Sequence, residues 1–291
     1  MKVHVGFHVS IAGGISNSVD NALKIGSRAF QIFSRNPRGW SAKPLAENDI
    51  NMFRTKLSGS GIGSKSVIVH MPYLPNLAAP DSEFYKKSID AFAEELQRCN
   101  TLGVAYLVIH LGSHLGRGRE YGIKQLLKAC NYALDNYKSK SRGDTRVQIL
   151  LENMAGQKNC IGNTFEDLRL ILDKLNSREF GICLDTCHAF ASGYDWREES
   201  NVEAILDNFN NIVGLKDLKV LHLNDSKGDL CSHIDRHEHI GLGRIGEAGF
   251  IALLNNRALR NLPIILETPC DEKRSDLQNL NYVMGLIRKR N

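Results

Sequence analysis

Short apolar, β-branched runs alternate with longer amphipathic stretches from one end of the chain to the other. The runs are VHVGFH (3–8), AFQIF (29–33), SVIVH (66–70), AYLVIH (105–110), VQILLE (147–152), FGICLD (180–185), LKVLH (218–222) and PIILE (263–267). Between them lie segments with helical spacing of apolar positions, among them 81–99, 123–137, 164–175 and 201–209. Thr164 with Asp167, and Asp81 with Phe84, read as helix starts, the first a capping-box variant. Strands alternating with helices predict parallel βαβ units, and eight of them predict an α/β chain closed into a (β/α)8 TIM barrel. No shift in composition marks a linker, so 1–291 is expected to be a single barrel domain. SGSGIGS (58–64) reads as a loop leading into the third strand and lacks the GK[ST] ending of a phosphate loop.

Strands three to eight end in His70, His110, Glu152, Asp185, His222 and Glu267. In such a barrel the C-terminal strand ends surround the mouth where active sites lie. With a side-chain period of two, inward-pointing ends place Ile68, Val108, Leu150, Cys183, Val220 and Ile265 in a layer beneath them. Val69, Ile109, Leu151, Leu184, Leu221 and Leu266 then face the helices. Both sets are apolar, as a wall covered on both faces requires, and Cys183 reads as core.

Composition narrows the picture little. The length of 291 residues suits this fold, for which about 250 is typical, and 42% hydrophobic with 24% charged residues is ordinary for a globular chain. A net charge of +5 is compatible with a polyanionic partner but falls below the footprint of a dedicated nucleic-acid binder. Seven cysteines without a C-x-x-C pair point to reduced thiols. The start, broken by His4 and His8, reads as neither signal peptide nor anchor, and no run of 18 apolar residues occurs. The expectation is a soluble cytoplasmic protein, nuclear in a eukaryotic source, with no membrane partner and acting as a monomer.

The densest chemistry is HLNDSKGDLCSHIDRH (222–237), which adds Asp235 and His237 to His222, and DTCH adds His188. Nine candidate ligands are then present, histidines and carboxylates without thiolate, the set of catalytic zinc, manganese or iron sites. One ion cannot use nine donors, but three ions can, at about three each. Clustered divalent ions suit phosphoryl transfer, and Glu152 and Glu267 are the natural bridging and nucleophile-orienting carboxylates. Two other readings stand beside this one. A sugar isomerase or epimerase would use one or two metals at the same strand ends and need no third trio, and a lesion-binding protein would need no intact ligand set.

Several blocks resemble the signatures of the endonuclease IV family of apurinic/apyrimidinic endonucleases. They are HMPYLPNLA (70–78), LENMAGQ (151–157), GICLDTCHAFASGYD (181–195) and HLNDSKGD…IDRHEHIGLGRIG (222–246), with the resemblance running from HVSIAGG (8–14) to ILET (265–268). The resemblance implies a trinuclear zinc barrel, with manganese or iron as possible substitutes. Such an enzyme cleaves duplex DNA on the 5′ side of an abasic site in base excision repair, leaving a 3′-hydroxyl and a 5′-deoxyribose phosphate. It implies one zinc on His70, His110 and Glu152, a second on Glu152, Asp185, His222 and Glu267, and a third on His188, Asp235 and His237. It further implies in-line attack by a hydroxide between the first two ions, with Glu267 as base, and a third ion at the departing 3′-oxygen. Lys158 stands where the family has glycine, and Met71 and Pro72 fall in a variable part of their motif.

Recognition of DNA is expected from SRNPRGWSAK (34–43), whose Arg35, Arg38, Lys43 and Trp40 mix cations with an aromatic. The resemblance places Arg38 and Tyr73 in the minor groove beside the lesion, with Trp40 on the same loop. An abasic nucleotide is cheap to flip, having lost pairing and stacking. GLGRIG (241–246) does not follow an apolar strand directly, which disfavours a dinucleotide site; it lies where barrels commonly contact phosphate. His4, His114, His233 and His239 are expected to be surface or hydrogen-bonding residues, and the basic tail 287–291 to fray.

Overall fold

The computed structural model describes residues 3–140, 146–176 and 178–288. Positions 289–291 of the basic tail lie outside the described residues. Eight parallel strands close into a barrel: β1 (His4–His8), β2 (Ala29–Phe33), β3 (Val67–His70), β4 (Tyr106–His110), β5 (Gln148–Glu152), β6 (Phe180–Asp185), β7 (Leu218–His222) and, after a two-stranded insertion of β8 (Asp225–Ser226) and β9 (His237–Glu238), β10 (Pro263–Leu266). Around the barrel they follow chain order, each pairing with its sequence neighbour and β10 closing against β1. All eight apolar runs became barrel strands. Glu267 sits one residue past its strand, and Ser66 belongs to a 3-10 turn rather than to β3.

The helices are α1 (Asn17–Lys24), α2 (Glu47–Gly59), α3 (Glu83–Leu102), α4 (Arg119–Lys140), α5 (Phe165–Leu175), α6 (Thr186–Ala191), α7 (Glu199–Ile212), α8 (Gly246–Asn255) and α9 (Asp276–Arg288). Helix α3 buries Ile89, Phe92, Leu96 and Cys99, the stripe its helical spacing dictates. Thr164 caps α5 as expected, accepting from Asp167 N at 3.2 Å. The cap of α3 is Ser82, one residue after Asp81: its Oγ accepts from Tyr85 N, and Asp81 instead meets Lys128 Nζ at 3.0 Å. Of 58–64, the first two residues finish α2 and Ser64 opens the 3-10 turn before β3.

Two apolar layers result. The larger lies between strands and helices. Inside the barrel, Ala29, Ile68, Tyr106, Val108, Leu150, Cys183, Val220 and Ile265 form a separate buried cluster. It contains all six residues that the two-residue period placed there. Cys183 is wholly buried and burial pushes its thiol up to about 12, so it is an inert filler of that layer.

The loop after β2 is fixed from below. Arg35 is buried, pairing with buried Glu95 and with Glu94 at 3.1 Å, while Arg98 reaches Ser34 Oγ at 2.7 Å and Lys43 O at 3.0 Å. Arg35 is thus a structural ion-pair partner, which corrects its expected place among the DNA-facing cations. Trp40 is half-buried, edge-on to Phe84 of α3 at 5.3 Å, whereas Arg38 and Lys43 are exposed.

Candidate metal centre

Parallel register brings the strand ends to one height: His110 pairs with Glu152 and Asp185 with His222. His70, His110 and Glu152 offer donor atoms within 4.8 Å of one another, and so do Glu152, Asp185, His222 and Glu267, so Glu152 belongs to both groups. Its Oε2 lies 3.1 Å from Nε2 of His70 and of His110, and its Oε1 lies 2.9 Å from Nδ1 of His222. Two donors on one tetrahedral cation at 2.0–2.2 Å stand roughly 3.3–3.6 Å apart, close to these separations and to the 3.5 Å between His222 Nδ1 and Glu267 Oε2.

A third group is assembled by local structure. Asp185 caps α6 by accepting from His188 N at 2.8 Å, which turns the imidazole back over the mouth. The β8–β9 ladder delivers His237 opposite Ser226. Asp235 Oδ1 then stands 3.1 Å from His188 Nε2 and 3.5 Å from His237 Nε2, and Asp185 Oδ2 is 3.8 Å from the latter. Asp185 therefore touches both the second and third groups. The Nε2 atoms of His188 and His237 are buried yet have no partner in hydrogen-bond geometry. Ring nitrogens left facing carboxylates in this way fit a divalent cation between them.

The electrostatics agree with that chemistry. Burial favours neutral acids, but His222 and His110 hold Glu152 well below the usual carboxylate range, and His222 and His8 do the same for Glu267. Burial likewise opposes charge on His222 and His188; Cys183, Glu267 and Glu152 outweigh it at the first, Asp185 and Asp235 at the second, and both are raised well above 6.5. The carboxylates thus attract positive charge into each group.

His70, His110, His188, Asp235, His237 and Glu267, with Tyr73, Arg236 and Pro269, line a cavity of about 460 Å³, while Glu152, Asp185 and His222 are wholly buried. Tyr73 is 64% exposed, its ring 5.2 Å from Phe33 and 6.3 Å from His110. Partial desolvation of the ring edge facing the mouth and the charge of Glu267 raise its phenol, which remains a neutral donor. All nine sequence-derived ligand candidates meet around this mouth.

Sequence reasoning missed four neighbours. His8, at the end of β1, lies 3.7 Å from Glu267 and obeys the strand-end rule that selected the other six. Gln31 is a buried polar residue on the inner face of β2. Asn153 accepts from Asp185 N at 2.7 Å, and Asn224 donates to Asp185 Oδ2 at 2.6 Å while accepting from Glu267 N at 2.8 Å. The GLGRIG loop, expected near phosphate, instead turns its Gly241, Gly243 and Ile245 amides onto the buried carboxylate of Asp225. The remaining histidines hydrogen-bond as expected: His4 with Ser66, His114 with Gly118, His233 with Ala155 and His239 with Asp271 and Asn279.

Comparison with known proteins agrees with this architecture. The family described as xylose isomerase-like TIM barrel matches residues 19–289. The probable endonuclease 4 of Methanoculleus marisnigri is 52% identical over 285 residues, covering 98% of this chain and 99% of the relative. The crystal structure of endonuclease IV from Thermus thermophilus superposes with a TM-score of 0.86 at 33% identity, covering 98% of this chain and 99% of that one. A D-tagatose 3-epimerase-like structure, at 18% identity and a TM-score of 0.70 over 98% and 99% of the chains, shares the fold alone. With similarity to named relatives running over nearly the whole length, the chain belongs to the endonuclease IV family.

Proposed function

We propose that this chain is a metal-dependent DNA repair endonuclease that hydrolyses the phosphodiester 5′ to an abasic site in duplex DNA, leaving a 3′-hydroxyl and a 5′-deoxyribose phosphate. The observation that carries the reading is the presence of three donor groups linked by Glu152 and Asp185, the third with two orphaned ring nitrogens. A sugar epimerase on the same barrel has no need of that third group. The residues to hold three zinc ions are His70, His110 and Glu152; Glu152, Asp185, His222 and Glu267; and His188, Asp235 and His237. When bound, such ions supply Lewis acidity at a phosphoryl group and a nucleophile from water near neutral pH.

The chain's own groups do the rest. Glu267, kept ionised, accepts the proton of the attacking water, and Glu152 keeps its neighbours in register. Tyr73, exposed at the mouth, and Arg38, exposed on the loop after β2, are the groups proposed to meet the duplex, with Trp40, packed edge-on to Phe84, on the same loop as Arg38. The protein is proposed to work as a single barrel domain and a monomer. All seven cysteines are unpaired, which supports a reducing, cytoplasmic compartment, and no helix among the described residues is long and apolar enough to cross a membrane.

The test joins metal analysis with a nicking assay on a duplex containing one abasic analogue. Three ions per chain and a nick 5′ to the lesion that a polymerase extends are expected, with activity lost to chelators. Bound but uncut DNA with all metals present, or fewer than three ions in an active preparation, overturns the reading.

A further inference from the structure

Four histidines at the mouth each have one ring nitrogen held from behind. In His70, His188 and His237 it is Nδ1, facing the carbonyls of Met71 at 2.6 Å, Asn153 at 2.9 Å and Glu267 at 3.2 Å. A carbonyl only accepts, so each Nδ1 carries a proton and Nε2 is the nitrogen turned toward the carboxylates. His222 is reversed. Its Nε2 meets a side chain, Oε1 of Gln31 at 2.9 Å, and its Nδ1 faces Glu152.

Gln31 is wholly buried, and its orientation follows from chemistry. The other terminal atom of its amide lies 2.6 Å from Glu267 Oε1, and an ionised carboxylate only accepts, so that atom is Nε2. The second N–H of this nitrogen is directed at His8 Nδ1, 3.1 Å away. Oε1 is left for His222 and must receive an N–H from it. One amide from β2 therefore grips a ring from β7 and the carboxylate beyond β10 at once.

We propose that Gln31 is a positioning residue of the second donor group: it fixes His222 with Nε2 protonated and Nδ1 turned to Glu152, Asp185 and Glu267, and it restrains Glu267 through Oε1 so that Oε2 faces the group. The proposal rests on the reading in which this group holds a cation. The other three rings take their orientation from backbone and cannot lose it by a side-chain change, whereas His222 can.

The experiment uses Gln31→Leu, with Gln31→Met as a second variant should the first fold poorly, and circular dichroism as the fold control. Chelator-stripped protein is titrated with zinc against a chromophoric competitor, and long-range proton–nitrogen NMR of the zinc-loaded protein, labelled with 15N histidine, reads the ring of His222. In the parent, three equivalents and a ring ligated through Nδ1 with Nε2 protonated are expected. In the variants, one site should weaken by about 10–100-fold while two keep their affinity, and the His222 signals should split or lose the Nε2–H pattern. A variant with parental affinity at every site and an unchanged His222 spectrum overturns this proposal alone. A parent that takes up fewer than three ions overturns the metal reading and this proposal with it.

Discussion

Asp225 offers a quantitative test of how the third donor group is held. It lies three residues past His222, is wholly buried, and begins the β8–β9 ladder that carries His237. Its Oδ1 accepts from Ser226 N at 2.8 Å and Ile245 N at 2.9 Å, and its Oδ2 from Gly241 N at 2.9 Å and Gly243 N at 3.0 Å. Asp225→Asn keeps the shape but replaces one oxygen by an NH2 group, and either orientation sets donors against two amides. Hydrogen bonds to a charged acceptor contribute about 1.5–3 kcal/mol each, so losing two costs about 3–6 kcal/mol; burial raises the Asp225 carboxyl, so removing its charge offsets part of this, and the remainder is still a sizeable share of an ordinary domain's stability of about 5–15 kcal/mol. Gly243→Ala attacks the same contact from the other side. A Cβ there would lie 2.5 Å from Asp225 Oδ1 and 2.5 Å from the carbonyl oxygen of Ser226, which as backbone has little room to yield. The assay is urea denaturation of zinc-free parent, both single variants and the double variant, followed by zinc titration. The double variant should lose less than the sum of the singles, because both break one clamp, and zinc uptake at the third group should weaken most. An Asp225→Asn protein within about 0.5 kcal/mol of the parent, the range of an inconsequential substitution, and with three ions bound would refute this account.

Three other outcomes are expected. Glu267→Gln should abolish nicking while leaving much of the affinity for abasic duplex, since it alters the nucleophile's surroundings and not the groove contacts; a near-parental rate would remove Glu267 from its role. Arg38→Ala should weaken DNA binding and lower the slope of log affinity against log salt by about 1, with metal content unchanged; an identical slope would return the loop to a solvated surface. The metal-free protein should show a particular dependence on pH. Protons on His110, His188 and His222, whose pKa values are raised, stabilise the fold fully below about 6.5, and this is lost as pH rises through the raised values. Glu152 and Glu267, lowered, stabilise it above about 4.3 and cease to do so as pH falls through their lowered values. Zinc-free protein should therefore lose Tm as pH climbs above neutral, while zinc affinity grows with pH because the ion replaces those protons; a chelator-stripped Tm that rises into alkaline pH contradicts the assignment.

Six of the nine ligand candidates were legible because a buried strand advertises its faces, while His188, Asp235 and His237 were legible from the density of ligand-type residues in DTCH and 222–237. Runs such as AYLVIH and VQILLE leave a single ionisable residue at the end of an apolar stretch, and two-residue alternation says which way it points. Arg35 was misread for the opposite reason: beside Arg38 and Trp40 it looks like part of a basic loop, and its partner Glu95 lies 60 positions away in α3. Asp81 missed the cap by one residue because Asp and Ser are both good caps, and side-chain reach decides between neighbours. The β8–β9 pair, with two residues per strand, is too short to carry any period.

The sequence by itself determined the eight strands, the inner layer from Ile68 to Ile265 and the ring of histidines and carboxylates above it, because burial on both sides of a barrel wall leaves a local pattern in every strand. Only the tertiary structure decided how those side chains are aimed: which ring nitrogen faces inward, that Asp225 and not phosphate takes the glycine-rich amides, and that Gln31 meets Glu267 across 236 positions of chain. Those choices depend on closure of the barrel, since a hydrogen bond fixes a side chain only when donor and acceptor come within about 3 Å, and no local period records which distant residue will be there.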